Sequence, residues 1–287
     1  MPLASMAPML RSALAKGRAV AAVNIIDFNS TRAVVDCARD LGVPVITQVS
    51  VKTVKHWGAR SVASWVRTLA MDSDQEVALH LDHCTDEAVI KTCIDAGWTA
   101  VMFDGSKLPF QENLARSTAI YALTQSAGVD LECEIGAIGG VEDDKVVADG
   151  EEMLANYDEC LEFARAMPNM GVFAPAIGTA HGFYKGEPKI AYDLLERIAK
   201  ATGLPIALHG GTGLSDDQFR NCIARGCAKV NLSTMHKRDF IEGFGQVYTR
   251  EKRPGEPLVY LEEQHRVMRD SLKPFLSLFS LGEKVVA

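Results

Sequence analysis

Three histidines stand where apolar runs give way to polar sequence: Leu-Asp82-His83-Cys84, Thr-Ala-His181-Gly182 and Leu-His209-Gly210. Carboxylates occupy the same kind of place, with Asp82 beside His83, Asp104 after Met-Phe, and Glu132 and Glu134 in Leu-Glu-Cys-Glu-Ile. Three neutral imidazoles that converge can hold a catalytic Zn²⁺ and leave a fourth position for water or a substrate oxygen. A carboxylate at the same point can take and return a proton. A lone histidine at a strand end is more often hydrogen-bonded to a neighbour, but three with carboxylates point to a metal. A second cluster carries no cation. Gly182, the run Gly210-Gly211-Thr212-Gly213, and Asn231-Leu-Ser233-Thr234 offer backbone N–H and hydroxyl donors of the kind that cradle anions. Glycines also mark tight turns, so this run gains meaning from the histidines: together they suggest a phosphorylated substrate.

Such residues meet only if the fold brings strand ends together. Short apolar runs rich in β-branched residues occur at 19–26, 44–50, 76–82, 100–104, 130–136, 172–178, 205–211 and 229–234. Amphipathic stretches at 30–41, 86–96, 190–201 and 215–224 read as helices between them. Ser215 is an N-cap candidate, and Gly97 and Gly203 stand where helices should end. Eight β-then-α units predict a (β/α)₈ TIM barrel, with an open doubly wound sheet as the alternative. Strands apolar on both faces favour the barrel. The Gly- and Asp-rich segment 137–152 reads as a long loop over the site. The whole of 1–287 is expected to be one domain, with 239–287 as a helical extension. Among the other histidines, His80 is expected to pack inside the barrel, and His56, His236 and His265 read as ordinary helix or loop residues.

The chain has 287 residues, 47% of them hydrophobic and 23% charged, with a net charge of −7. That composition excludes a disordered or collagen-like chain. The acidic balance argues against nucleic acid or an anionic membrane as partner. Seven scattered cysteines without a CxxC pair suggest a reducing compartment, and no stretch approaches a membrane span, so a cytoplasmic protein is expected.

Six motifs in order, HLDHC (80–84), FDGSKLPFQEN (103–113), LECEIGAIGGVEDD (131–144), AIGTAHGFYKGEP (176–188), LHGGTG (208–213) and KVNLST (229–234), resemble those of class II, metal-dependent ketose-(bis)phosphate aldolases. The resemblance covers nearly the whole chain. It implies one Zn²⁺ on His83, His181 and His209, with Asp104 and Glu134 behind these ligands or as alternatives to them. Asp82 is implied as the acid/base at the substrate C4 hydroxyl, and Glu142 as the group exchanging a proton at the carbon that becomes nucleophilic. Asn24, Ser50, Gly182, Gly210, Gly211, Thr212, Asn231, Ser233 and Thr234 are implied to bind substrate and its phosphate, with Na⁺ or K⁺ nearby. A homodimer or homotetramer is the implied assembly. No Schiff-base lysine is needed, and Lys107, Lys185 and Lys229 read as solvated or family-typical.

Three positions depart from that pattern: Asp27 where relatives commonly have Asn, Ser233 where fructose-bisphosphate enzymes carry Asp, and Leu258 where an arginine usually grips the distal phosphate. Leucine makes no bidentate phosphate contact, although Arg253 lies near. The expected aldehyde half is therefore not simply glyceraldehyde 3-phosphate. The alternatives are a zinc barrel hydrolase or decarboxylase, and a non-catalytic accessory subunit of an aldolase.

Overall fold

The computed structural model describes residues 3–142, 145–147, 153–182, 184, 186–250 and 256–281, without the side chains of 140–142, 145–147 and 281. The strands are β1 Val20–Asn24, β2 Val45–Ser50, β3 Val77–Cys84, β4 Ala100–Phe103, β5 Asp130–Ile135, β6 Gly139–Glu142, β7 Lys145–Val147, β8 Val172–Pro175, β9 Ala180–His181, β10 Ile206–Leu208 and β11 Cys227–Leu232. The helices are α1 Met6–Ala15, α2 Phe28–Leu41, α3 Val51–Trp57, α4 Ala59–Met71, α5 Glu87–Asp95, α6 Phe110–Ala127, α7 Tyr157–Ala166, α8 Tyr192–Thr202, α9 Asp216–Ala224, α10 Thr234–Arg250 and α11 Pro257–Leu281.

Eight strands, in the order β1-β2-β3-β4-β5-β8-β10-β11, close a parallel barrel, and each coincides with one of the eight expected runs. The helices ring it. This is a TIM barrel, and the open sheet is excluded because β11 pairs with β1, Val20 opposite Lys229. Helix starts follow local chemistry. Asp27 caps α2 by accepting from Ser30 N at 2.8 Å, and Ser215 caps α9 in a reciprocal box with Gln218. Gly203 ends α8 in the left-handed region.

Alternation along the strands divides the barrel interior into levels. At its base, Ala22, Ile46, Ala78, Ala100, Val172, Ala207 and Ala228 form one buried cluster with Met6, Met9 and Leu10 of α1. The small strand residues leave room that the long side chains of α1 fill, so this helix plugs the bottom. One step up, Gln48, His80, Glu132 and Lys229 are fully buried and polar. The mouth lies above them.

The segment 137–152 differs from the expected loop. Its described part forms a hairpin, with β6 antiparallel to β7 and parallel to β9, Gly140 opposite His181. Val141, Val146 and Val147 supply strand propensity that the surrounding Gly and Asp residues obscured. At the C-terminus, α11 packs against α2, α9 and β1, and α10 packs along α11. Among the described residues no helix is long and apolar enough to cross a membrane.

Candidate active site at the barrel mouth

His83 sits where β3 leaves regular pairing. The β3–β4 register slips between Leu81 and Cys84, and His83 has φ 44°, the one positive φ among described non-glycine residues. A bulge of this kind re-aims a side chain next to a functional site. His181 comes from β9, and His209 follows β10 directly. The three rings meet at the mouth with centroids 4.6 Å apart for His83 and His209, 5.0 Å for His83 and His181, and 5.9 Å for His181 and His209. One nitrogen from each lies within 4.8 Å of the others.

Carboxylates decide which nitrogen faces the centre. His83 Nδ1 donates to Asp104 Oδ2 at 2.8 Å, and His209 Nε2 donates to Glu132 Oε1 at 2.7 Å. An ionised carboxylate only accepts, so these contacts assign the ring protons and turn a lone pair of each ring the other way. His83 Nε2 and His209 Nδ1 then stand 2.9 Å apart, acceptor toward acceptor. Two lone pairs at that separation call for a cation between them, a shared proton or a metal ion, and neutral imidazoles backed by carboxylates, with His181 as a third, are the donors that zinc takes. Burial draws the His209 imidazole below its ordinary value, which favours the neutral ligand form. Glu134 Oε2 is 3.7 Å from His83 Nδ1, and His83, Asp104 and Glu134 make a second converging set. The residues present therefore fit a divalent metal.

Asp82 lies beside this centre, Oδ1 4.0 Å from His83 Nε2, with Asn24 Nδ2 donating to its Oδ2 at 3.2 Å. It caps no helix; Asp86 caps α5 instead. Ser50 lies opposite Asp82 in the β2–β3 register, and its hydroxyl accepts from Thr53 N at 3.3 Å as the cap of α3. The backbone of Glu142 belongs to β6, but its side chain is outside the described residues, as are Lys185 and Arg253.

Next to His181, a cleft is lined by Gly182, Gly210, Gly211, Thr212, Asn231, Ser233 and Thr234. Asn231 Nδ2 and Ser233 Oγ are buried there and make no hydrogen bond within the protein. Gly210 has φ +69°, and a Cβ on it would lie 2.4 Å from Ala180 O. The chain can approach β9 this closely only as glycine. Tyr184 ties the two walls together, accepting from Ala180 N at 3.0 Å and donating to Gly210 O at 2.7 Å.

Some expectations change. Lys229 is not solvated: its side chain is fully buried, 2.9 Å from Glu132 Oε2. Asp27, expected to alter substrate-side polarity, also has a local role, since its carboxylate caps α2. Glu132 was noted as a strand-end carboxylate but given no role, and Gln48 was not noted, although polar residues at alternate positions of apolar strands were the available signal. Burial opposes the charge on Glu132, but Lys229 and the hydrogen bond from His209 outweigh it and hold the carboxyl well below the usual carboxylate range.

A closed parallel barrel whose histidines and carboxylates gather at the C-terminal ends of its strands defines a TIM-barrel enzyme. The chain belongs to the class II fructose-bisphosphate aldolase family, whose model matches residues 4–284 and whose members are carbon–carbon lyases. It is 35% identical over 287 residues to a fructose-bisphosphate aldolase of Staphylococcus aureus, covering 99% of each chain. It is 34% identical over 275 residues to a probable fructose-bisphosphate aldolase of Bacillus subtilis, covering 95% of each. A putative fructose-1,6-biphosphate aldolase from Coccidioides immitis superposes with TM-score 0.85 at 26% identity, covering 95% of this chain and 94% of the other. The YdjI aldolase of Escherichia coli K12, at TM-score 0.86 and 22% identity over 99% of this chain and 100% of its own, shares the fold.

Proposed function

We propose that this chain is a zinc-dependent aldolase that reversibly cleaves a ketose 1-phosphate or ketose bisphosphate to dihydroxyacetone phosphate and an aldehyde. The observation that carries the reading is the facing pair His83 Nε2 and His209 Nδ1, 2.9 Å apart, each ring backed by its own carboxylate. His83, His181 and His209 hold the metal. When bound, Zn²⁺ supplies a positive centre for the negative charge that develops on the substrate C2 oxygen. Asp82 removes the C4 hydroxyl proton as the C3–C4 bond breaks and returns it in the condensation direction. Asn24 keeps that carboxylate in place with its amide N–H. Asn231, Ser233 and the glycines of the cleft take the phosphate of dihydroxyacetone phosphate, with Na⁺ or K⁺ alongside. Glu142, on the hairpin, exchanges the proton at the carbon that becomes nucleophilic.

The aldehyde half carries no phosphate that this chain grips in the usual way. Leu258 is 61% exposed at the start of α11 and has no hydrogen-bonding head, and Ser233 lacks a carboxylate. The chain acts as a single barrel domain in a homodimer or homotetramer in the cytoplasm. A substrate screen with the zinc-loaded protein tests both levels. Faster cleavage of ketose 1-phosphates than of 1,6-bisphosphates is expected. A strong preference for fructose or tagatose bisphosphate overturns the substrate assignment. Failure to release dihydroxyacetone phosphate from any of them, with zinc bound, overturns the aldolase reading in favour of another zinc-barrel reaction or an accessory role.

A further inference from the structure

Beneath the mouth, Lys229 Nζ is surrounded by three acceptor oxygens from three different strands. It donates to Gln48 Oε1 of β2 at 2.7 Å and to Asn231 Oδ1 of β11 at 2.7 Å, and it pairs with Glu132 Oε2 of β5 at 2.9 Å. An ammonium has donors only, so it fixes the sense of every hydrogen bond that starts from it. Gln48 must present its oxygen to Lys229, so its amide nitrogen faces Asn24 and donates to Asn24 Oδ1 at 2.9 Å. Asn24 must then turn its own nitrogen to Asp82 Oδ2. Asn231, oxygen toward Lys229, turns Nδ2 to the other side, where it is buried without a partner in the protein. Glu132, paired through Oε2 with Lys229, accepts from His209 Nε2 through Oε1 and leaves Nδ1 as the lone-pair side. His80 does not compete as the cation: it lies 3.3 Å from Glu132, and burial together with Lys229 draws its imidazole far below the ordinary histidine value.

We infer that Lys229 is a positioning residue that sets hydrogen-bond polarity for the whole site, orienting Asn24 as a donor to Asp82, Asn231 as a donor to substrate, and His209 as a lone-pair donor to the metal. It touches neither substrate nor metal. One buried cation thereby couples the proton-transfer group, the phosphate cleft and the metal ligands, and replacing any single link frees an amide or a ring to flip in that arm alone.

The inference rests on the zinc-aldolase reading. Two variants test it in the full-length protein. Gln48→Leu cuts only the arm to Asp82; kcat is expected to fall at least tenfold, with zinc affinity, measured by chelator competition on the metal-free protein, within twofold of wild type. Lys229→Met alone strands the Glu132 charge, so it is combined with Glu132→Gln to keep the interior neutral. In that double variant zinc affinity is expected to fall about 10- to 100-fold, as loss of a partner behind a metal ligand does. Binding of dihydroxyacetone phosphate, titrated at saturating zinc, is expected to weaken at least fivefold. A merely structural lysine predicts lower denaturation midpoints in both variants, with kcat of Gln48→Leu and dihydroxyacetone phosphate binding of the double variant at wild-type values; that result overturns the inference, whereas the zinc loss alone reports the removed Glu132 carboxylate behind His209. If the double variant fails to fold, Gln48→Leu still decides, because an unchanged kcat there removes the polarity argument. A wild-type chain that takes up no zinc refutes the functional reading instead, so the two failures are distinguishable.

Discussion

His83 and His209 point acceptor nitrogens at each other across 2.9 Å while Asp104 and Glu132 occupy their opposite nitrogens. Each ring is locked from behind, so neither turns away to relieve the repulsion. A cation at the mouth converts that repulsion into two bonds, and this is why the arrangement reads as a metal centre rather than as two structural histidines.

Replacing His181 by Ala removes one of the three imidazoles without touching that locked pair. Metal analysis of the purified variant is expected to show clear loss from one Zn²⁺ per chain, with cleavage lowered by about 10³-fold, since the metal supplies several kcal/mol and each 1.4 kcal/mol is tenfold. Retention of full activity with no bound metal excludes a metal-dependent reaction.

Asp82→Asn keeps shape and the neighbourhood of His83 but removes the proton acceptor. The expected outcome is a kcat lower by about 10²–10⁴-fold, with zinc content at wild-type level. Steady-state kinetics with parallel metal analysis separates this from a metal-binding defect, which lowers both.

Tyr184→Phe deletes the hydroxyl that joins Ala180 N to Gly210 O. Both backbone groups lose a partner at the wall of the phosphate cleft, a cost of about 1–3 kcal/mol. KM for the phosphorylated substrate is expected to rise several-fold, more than kcat falls. An unchanged KM shows that the two loops hold their spacing without the tyrosine.

His236 is fully buried in α10, and burial pushes its imidazole down from 6.5 to about 3. The folded state therefore holds it neutral while the unfolded chain protonates it. The stability tied to this site is present above about pH 6.5 and is lost as pH falls toward the depressed value, by roughly 2 kcal/mol at pH 5. Urea midpoints at pH 7 and pH 5 are expected to fall further for wild type than for His236→Leu. Equal losses in both proteins place the acid sensitivity elsewhere.

The eight barrel strands were legible along the chain because a parallel strand buried on both faces must be continuously apolar, and a polar residue ends it. His83, His181, His209, Asp82 and Asp104 stood out for the same reason, as chemistry placed just past those runs. The hairpin of β6 and β7 was not legible, since the parallel partner of β6 is a two-residue strand 41 positions away, Gly140 opposite His181. Lys229 was misread for a physical reason too: on one strand, a lysine among apolar residues has no visible counter-charge. Closing the barrel brings Gln48, Glu132 and Asn231 around its ammonium from strands far apart in the chain. Residue types and their period thus set the barrel and its reactive mouth. Tertiary structure alone decided which nitrogen of His83 and of His209, and which end of Asn24, Gln48 and Asn231, faces the mouth or its neighbours, because those choices depend on donors and acceptors that only barrel closure brings within hydrogen-bond reach.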